Sequence, residues 1–129
     1  MPERTVLVVD DFEDLRTLVQ FILEQEGCHV LSAVDGPSAI EVARRHEGRI
    51  DLLVTDATLP GMDGFELARR VALERPEVAV LFMSGNPYSR EDLDRAAGAA
   101  RAAIQKPFTA DELSAAVNGL LDGLPGTPP

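Results

Sequence analysis

The sequence contains one cysteine, no long apolar run and few basic residues, and each shortage excludes a class of protein. Cys28 is the only cysteine among 129 residues, so an internal disulfide and a cysteine-based metal site are excluded, and we interpret it as a buried strand residue. The apolar runs are far shorter than the roughly 20 residues that span a bilayer. The first residues, MPERTVLVVD, lead directly into a strand pattern, so we expect no signal peptide and a cytoplasmic protein.

Positive charge is scarce as well. Twelve Lys and Arg residues stand against 22 Asp and Glu residues, and the net charge is −10. A nucleic-acid interface needs a basic surface that displaces counterions, and an anionic membrane surface attracts basic segments. We therefore expect neither nucleic acid nor membrane as a direct partner.

The length fits one domain, which buries about two-thirds of the surface of its unfolded chain. Residues 1–122 carry the periodic patterns and are predicted to form that domain. Residues 123–129, GLPGTPP, are rich in Pro and Gly and are predicted to be a flexible tail or the stub of a linker.

Strand and helix patterns alternate along the chain. Short β-branched or apolar runs predict five strands, at 5–9, 29–34, 50–56, 78–83 and 102–105. Segments of helical period predict five helices, at about 12–26, 36–46, 63–74, 89–101 and 109–121. This alternation predicts an α/β fold in which helices cover both faces of a parallel sheet.

Capping signals mark several of the helix starts. Pro37 stands at a first-turn position of the second helix, and Asp63 with Glu66 resembles a capping box at the third. Thr109 and Glu112 form a capping box at the last helix, where Phe108 and Leu113 can form a hydrophobic staple. In the first helix, five apolar residues are predicted to share the buried face: Leu15, Leu18, Val19, Ile22 and Leu23.

Polar side chains follow four of the predicted strands. Asp10 and Asp11 follow the first strand, Asp56 ends the third, Ser84 follows the fourth and Lys106 follows the fifth. Parallel strands end at one edge of a sheet, which is where ligands bind in open α/β sheets. Three carboxylates that converge there repel one another unless a cation neutralises them, and oxygen ligands of this kind suit Mg²⁺. A nucleophilic carboxylate, Mg²⁺, an ammonium group and a hydroxyl together form a site for phosphoryl transfer.

Four segments of the sequence are similar to those of a known family. VLVVDDFEDLR, DLLVTDATLPGMDGFEL, LFMSGN and IQKPF occur in this order, and with them the chain resembles the receiver domain of two-component response regulators over residues 6 to about 121. The resemblance implies a doubly wound (βα)5 three-layer sandwich with a five-stranded parallel sheet in the flavodoxin-like order 2-1-3-4-5. Such a domain accepts a phosphoryl group and is not a multiple-turnover enzyme.

The resemblance also implies roles for the residues at the sheet edge. Asp56 would accept the phosphoryl group from the phosphohistidine of a histidine kinase or phosphotransfer protein. Asp11, Asp56 and the Thr58 backbone carbonyl would bind Mg²⁺, and Asp10 would act through water. Ser84 would be the hydroxyl that turns toward the phosphoryl group, Lys106 would pair with that group, and the Lys106–Pro107 bond would be cis.

Partners follow from the same resemblance. The kinase would dock near the first helix and the loop after the fifth strand. A downstream protein would bind the face formed by the fourth helix, the fifth strand and the fifth helix, and the chain would be a monomer or a phosphorylation-dependent dimer.

One position departs from the family pattern. Receivers often carry Tyr or Phe three residues before the lysine, where this sequence has Ala103. The signal would then travel through the Ser84 loop and the fourth helix, or output would be coupled less tightly. Thr58 and Asn86 occupy the positions that tune hydrolysis of the acyl phosphate; since neither is an acid or a base, we expect no unusually fast dephosphorylation.

We interpret the chain as a stand-alone receiver, and three alternatives remain open at this stage. The chain can instead be the receiver domain of a hybrid histidine kinase. A phosphohydrolase similar to haloacid dehalogenases would also use an Asp nucleophile with Mg²⁺ and Lys, but that family needs an Asp where this chain has Thr58. A degenerate receiver that binds partners without phosphorylation is disfavoured because all five site residues are present.

Overall fold

Five parallel strands form the centre of the protein, and helices pack on both faces, as the alternation of patterns predicts. The computed structural model describes residues 4–85, 93, 96 and 98–122. The strands are β1 (Thr5–Val9), β2 (His29–Ala33), β3 (Leu52–Asp56), β4 (Ala79–Ser84) and β5 (Ala100–Gln105). The helices in the described ranges are α1 (Glu13–Gln25), α2 (Gly36–Arg45), α3 (Gly64–Glu74) and α4 (Ala110–Asp122). The strand order is β2-β1-β3-β4-β5, which confirms the predicted order 2-1-3-4-5.

Alternate strand residues face two separate cores because the side chains of a strand point to opposite faces of the sheet. Val6 and Val8 belong to the core under α1 and α4, while Leu7 and Val9 belong to the core under α2 and α3. Every residue of β1 is buried, as expected for a central parallel strand that is covered on both faces. The two cores fix the strand ends, and so the edge at which the polar residues meet.

The predicted caps form. The Asp63 carboxylate accepts the Glu66 N–H at the start of α3. Thr109 and Glu112 bond each other reciprocally before α4, each side chain accepting the other's backbone N–H at 3.1 Å. These bonds satisfy N–H groups that have no partner within the helix, and they set where each helix leaves the sheet edge.

Two predictions about burial and strand limits were wrong in detail. Leu18 is 51% exposed, because Val19 and Leu23 alone form the fully buried line of α1 and Leu18 projects about 100° away from it. The third strand begins at Leu52 and not at residue 50, although Ile50 is fully buried. Asp51 is hydrogen-bonded to Thr5 at this end of the strand.

The fifth strand begins earlier than predicted. Ala100 and Arg101 were predicted to end a helix over 89–101, but they pair in register with Ala79 and Val80 of β4. An Ala- and Gly-rich segment has little amphipathic preference of its own, so the pairing with β4 decides its conformation. The rest of that predicted helix falls largely on residues outside the described ranges, as does the predicted tail at 123–129.

None of the helices in the described ranges is long and apolar enough to cross a lipid bilayer.

Candidate functional site

Asp56 ends β3 at the carboxyl edge of the sheet, with both carboxylate oxygens engaged. Oδ1 accepts the Thr58 N–H at 3.0 Å, and Oδ2 accepts the Lys106 ammonium at 2.8 Å. The strand end is held in place because the Ala57 N–H donates to the Met83 carbonyl of β4. The side chain keeps 15% of its surface exposed, so a reagent can reach it from solvent.

Asp10 and Asp11 follow β1 at the same edge but differ in exposure. The Asp10 side chain is fully buried, whereas Asp11 is exposed. Burial raises the pKa of Asp10, and the charge of Asp56 raises it further, while the Phe12 N–H and Lys106 oppose this effect. The raised pKa means that the Asp10 carboxylate is held at a cost in free energy, chiefly because it is buried.

Lys106 follows β5 and lies between two of these carboxylates. Its Nζ is 2.8 Å from Asp56 Oδ2 and 3.3 Å from Asp10 Oδ2. Burial lowers the pKa of Lys106, but the bond to Asp56 and the charges of Asp10 and Asp56 outweigh burial, and the net pKa is raised. Lys106 therefore carries its positive charge throughout the neutral pH range. The Lys106–Pro107 peptide bond is cis, as the resemblance implies.

Ser84 ends β4 at this edge and is buried, with 6% of its surface exposed. Its carbonyl accepts the Lys106 backbone N–H, so the ends of β4 and β5 are tied together. The structure thus places Ser84 at the same edge as the other four predicted site residues. Ala103, the residue at the usual aromatic position, is exposed, and Asn86 lies outside the described ranges.

The three aspartates form a group that can hold a metal ion. Each of Asp10, Asp11 and Asp56 offers a carboxylate oxygen, and these atoms lie within 4.8 Å of one another. Three carboxylates and one ammonium leave two formal negative charges in excess, which favours a divalent cation. An all-oxygen ligand set, open to solvent on the Asp11 side, suits Mg²⁺.

Two contributors to the site were missed by sequence reasoning. Arg16 of α1 donates from Nη1 to the Asp10 carbonyl at 2.8 Å, and Gly64 packs directly on the end of β3. A Cβ at Gly64 would overlap the Asp56 carbonyl oxygen and lie 3.0 Å from the Ala57 Cα. The only sequence signals were a basic residue one turn into the first helix and a glycine just after the Asp63 cap, and neither specifies such a contact.

Comparison with known proteins identifies the family of the chain. The family model described as the response regulator receiver domain matches residues 6–118. The response regulator receiver protein CpdR of Brucella abortus is 34% identical over 81% of this chain and 86% of its own length. The autoinducer 1 sensor kinase/phosphatase LuxN of Vibrio campbellii is 36% identical over 84% of this chain, which corresponds to 12% of LuxN.

A solved structure has a similar fold. The chemotaxis response regulator CheY4 of Vibrio cholerae superposes with a TM-score of 0.82 at 25% identity, covering 93% of this chain and all of CheY4. The chain spans only part of several similar proteins, from 12% of LuxN to about half of transcriptional regulators at 48% and 49%. The family match extends over all five strands apart from Thr5, and it includes the edge residues Asp10, Asp11, Asp56, Ser84 and Lys106. The chain belongs to the response regulator receiver domain family of two-component signalling.

Proposed function

We propose that the protein is a Mg²⁺-dependent aspartyl-phosphate switch with Asp56 as the phosphoacceptor. The observation that carries this proposal is the convergence of charge at the sheet edge. Oxygens of Asp10, Asp11 and Asp56 lie within 4.8 Å of one another, and the Lys106 ammonium bonds Asp56 at 2.8 Å. We assign Asp56 as the acceptor because its side chain is partly exposed and bonds the Lys106 ammonium, whereas the side chain of Asp10 is fully buried.

The residues fit Mg²⁺ in the following way. Asp11 and Asp56 would bind the ion directly, together with the Thr58 carbonyl, and Asp10 would act through water. The segment after β3 already turns around the acceptor, since the Thr58 N–H bonds Asp56 Oδ1. When bound, Mg²⁺ neutralises negative charge on the phosphoryl oxygens and on the carboxylates.

The chemical step assigned to Asp56 is an in-line displacement. A carboxylate oxygen of Asp56 forms a bond to phosphorus while the bond from phosphorus to the imidazole nitrogen of the donor breaks. The imidazole keeps the electron pair of that bond and is left as a neutral ring once its protons equilibrate with solvent. Lys106, kept protonated by its raised pKa, pairs with the transferred phosphoryl oxygens. Each Asp56 holds one phosphoryl group at a time, so the protein acts as a stoichiometric acceptor that assists its own phosphorylation and dephosphorylation and not as a multiple-turnover enzyme.

Ser84 is assigned the switch role. It is buried at the end of β4, and its carbonyl bonds the Lys106 backbone N–H, so a change at the lysine reaches the end of β4 directly. The Ser84 hydroxyl would turn toward the phosphoryl group and bias the loop after β4 between two conformations. Ala103 has no aromatic ring to follow this motion, so the signal would pass through the Ser84 loop.

A histidine kinase or phosphotransfer protein is proposed to dock near α1 and the loop after β5. Three large apolar side chains of this region are exposed: Phe12 by 60%, Leu18 by 51% and Phe21 by 59%. Exposed apolar residues on a helix that begins at the reactive edge favour a protein partner there. The output surface is proposed along β5, α4 and the segment between β4 and β5, with a monomer or a phosphorylation-dependent dimer as the assembly.

The cytoplasm is the proposed location, with no direct binding of nucleic acid or membrane. The similarity to CpdR fits a stand-alone receiver, and the similarity to LuxN fits the receiver domain of a hybrid kinase; both arrangements use Asp56 in the same way. Membership of the receiver family leaves the haloacid-dehalogenase-like alternative without support. The absence of unusually fast dephosphorylation, expected from Thr58 and Asn86, stays a prediction.

The test is the intact mass of the protein after incubation with acetyl phosphate and Mg²⁺. We expect one added phosphoryl group on the wild type, and none on Asp56→Asn or in the absence of Mg²⁺. Asp63→Asn is a matched control because Asn also caps helices and Asp63 lies outside the cluster, so labelling should be normal. A wild-type protein that binds Mg²⁺ but takes no label would contradict the proposal and favour a degenerate receiver.

A further inference from the structure

Arg16 connects α1 to the segment that carries two of the three aspartates. Its guanidinium Nη1 donates to the Asp10 carbonyl at 2.8 Å, and its backbone N–H donates to the Phe12 carbonyl at 3.0 Å. One residue therefore bonds both ends of residues 10–12, the connection between β1 and α1. The side chain is half-buried, and this bond goes to a backbone carbonyl and not to a carboxylate.

Among the described residues, none of the hydrogen bonds that hold residues 10–12 is made by Asp11 itself. Asp10 is fixed by its own carboxylate, which accepts the Phe12 N–H at 2.8 Å and the Lys106 ammonium at 3.3 Å. Asp11 is exposed, so its position depends on the backbone on either side of it. A ligand on a connection that moved freely would have to be ordered when a cation binds, which lowers the affinity.

We propose that Arg16 is a positioning residue for the cation site. Its bond to the Asp10 carbonyl orders residues 10–12 before any ion arrives, so that Asp11 reaches the same cation as Asp56. Arg16 acts through the backbone and is not itself a ligand. The inference rests on the proposed function only in taking Mg²⁺ as the ion.

Two effects of Arg16 on cation binding oppose each other. Ordering of the connection raises the affinity for Mg²⁺, whereas a positive charge near the site lowers it. The guanidinium is partly in solvent, where salt screens its charge, but the loss of an ordered backbone is not screened. The ordering effect is therefore the larger one, and removal of Arg16 weakens binding.

The test compares Mg²⁺ affinities of purified variants by titration calorimetry or by amide chemical shifts. Arg16→Met keeps the aliphatic stem and loses the donor, and we expect binding about three- to tenfold weaker than in the wild type. Arg16→Lys keeps a charged donor and should recover part of that loss. Arg45→Met removes the same charge from an exposed ion pair on α2 and should bind Mg²⁺ like the wild type.

A second readout needs neither metal nor phosphorylation. In the metal-free protein, hydrogen exchange of the Phe12 amide should be about tenfold faster in Arg16→Met, because the connection opens more often. If Arg16→Met does not fold, Arg16→Gln is used in its place. The expected results are the same, because the Gln side chain is too short to donate to the Asp10 carbonyl as Arg16 does.

The outcomes separate this inference from the proposed function. Unchanged or tighter Mg²⁺ binding by Arg16→Met, or unchanged Phe12 exchange, would overturn the positioning role whatever happens to labelling. A wild type that binds Mg²⁺ but takes no label would overturn the switch function and leave the role of Arg16 to be decided by the affinities.

Discussion

The Lys106 ammonium lies 2.8 Å from Asp56 Oδ2, although the two residues are 50 positions apart and lie at the ends of different strands, Asp56 as the last residue of β3 and Lys106 directly after β5. Lys106 also bonds the fully buried Asp10, so one cation partly neutralises two carboxylates. Lys106 is the only lysine in the sequence. The electrostatic balance of the site can therefore be altered, and observed, through a single side chain.

Lys106→Ala should destabilise the metal-free protein. Asp10 and Asp56 would lose their shared partner, and an uncompensated buried charge costs about 1–3 kcal/mol. Urea unfolding at neutral pH measures this loss, and labelling by acetyl phosphate should slow at least tenfold because the transferred group loses a positive charge beside it. Arg45→Ala, which breaks only an exposed ion pair, should change the free energy of unfolding by about 0.5 kcal/mol or less. Equal stability of Lys106→Ala and wild type would show that Lys106 does not stabilise the charges of Asp10 and Asp56.

The pKa of Lys106 should be above the ordinary value of 10.5. A raised pKa means that the ammonium form favours the folded state, so this stabilisation is complete below pH 10.5 and is lost as the pH rises through the folded-state pKa. Since there is one lysine, NMR of protein labelled in its lysine side chain gives one titration curve. Asp56→Asn should lower the midpoint by removing a negative partner. A wild-type midpoint at or below that of a model peptide would contradict the prediction.

Asp10→Asn should stabilise the metal-free protein at neutral pH. Burial and the charge of Asp56 disfavour the Asp10 carboxylate, and Asn removes that charge, so the free energy of unfolding should rise. Because the pKa of Asp10 is raised, the wild type recovers stability as the pH falls through it toward 3.8, and the advantage of Asn should shrink over that range. Thermal or urea unfolding between neutral and acid pH checks both parts. Lower stability of Asp10→Asn at neutral pH would show that its bonds to Phe12 and Lys106 outweigh the cost of burial.

Gly64→Ala should disturb the acceptor strand from outside the site. The added Cβ would overlap the Asp56 carbonyl oxygen, so β3 or α3 must shift, at a cost of about 1–3 kcal/mol. Labelling of Asp56 should slow as well, because the shift moves the acceptor relative to Lys106. Gly119→Ala is the matched control: it lies within α4, and beyond its chain neighbours and the backbone of its own helix no atom of the described residues lies within 4 Å of an added Cβ, so alanine there should be neutral or stabilising by up to about 1 kcal/mol. Normal stability and labelling of Gly64→Ala would rule out a tight contact at this position.

The order of the elements and the identity of the edge residues could be predicted from the sequence, since both depend on local patterns. Alternation of strand and helix periods required a parallel sheet, and the ends of parallel strands share an edge. Asp10, Asp11, Asp56, Ser84 and Lys106 had to meet there whatever the details of packing. Helix starts such as Thr109 with Glu112 were also predictable, because a capping box is formed within four residues.

Contacts between distant segments were decided only by the tertiary structure. The path of the chain onto β4 made Ala100 and Arg101 part of a strand, and the narrow contact of α1 with the sheet left Leu18 in solvent. The bond from Arg16 to the Asp10 carbonyl and the contact of Gly64 with the Asp56 carbonyl involve backbone atoms, which every residue carries and no residue letter distinguishes. The sequence alone thus determined which groups meet at the edge, through strand polarity. Packing determined how closely they approach and what holds them, because those distances depend on loops and helices fixed only when both cores close.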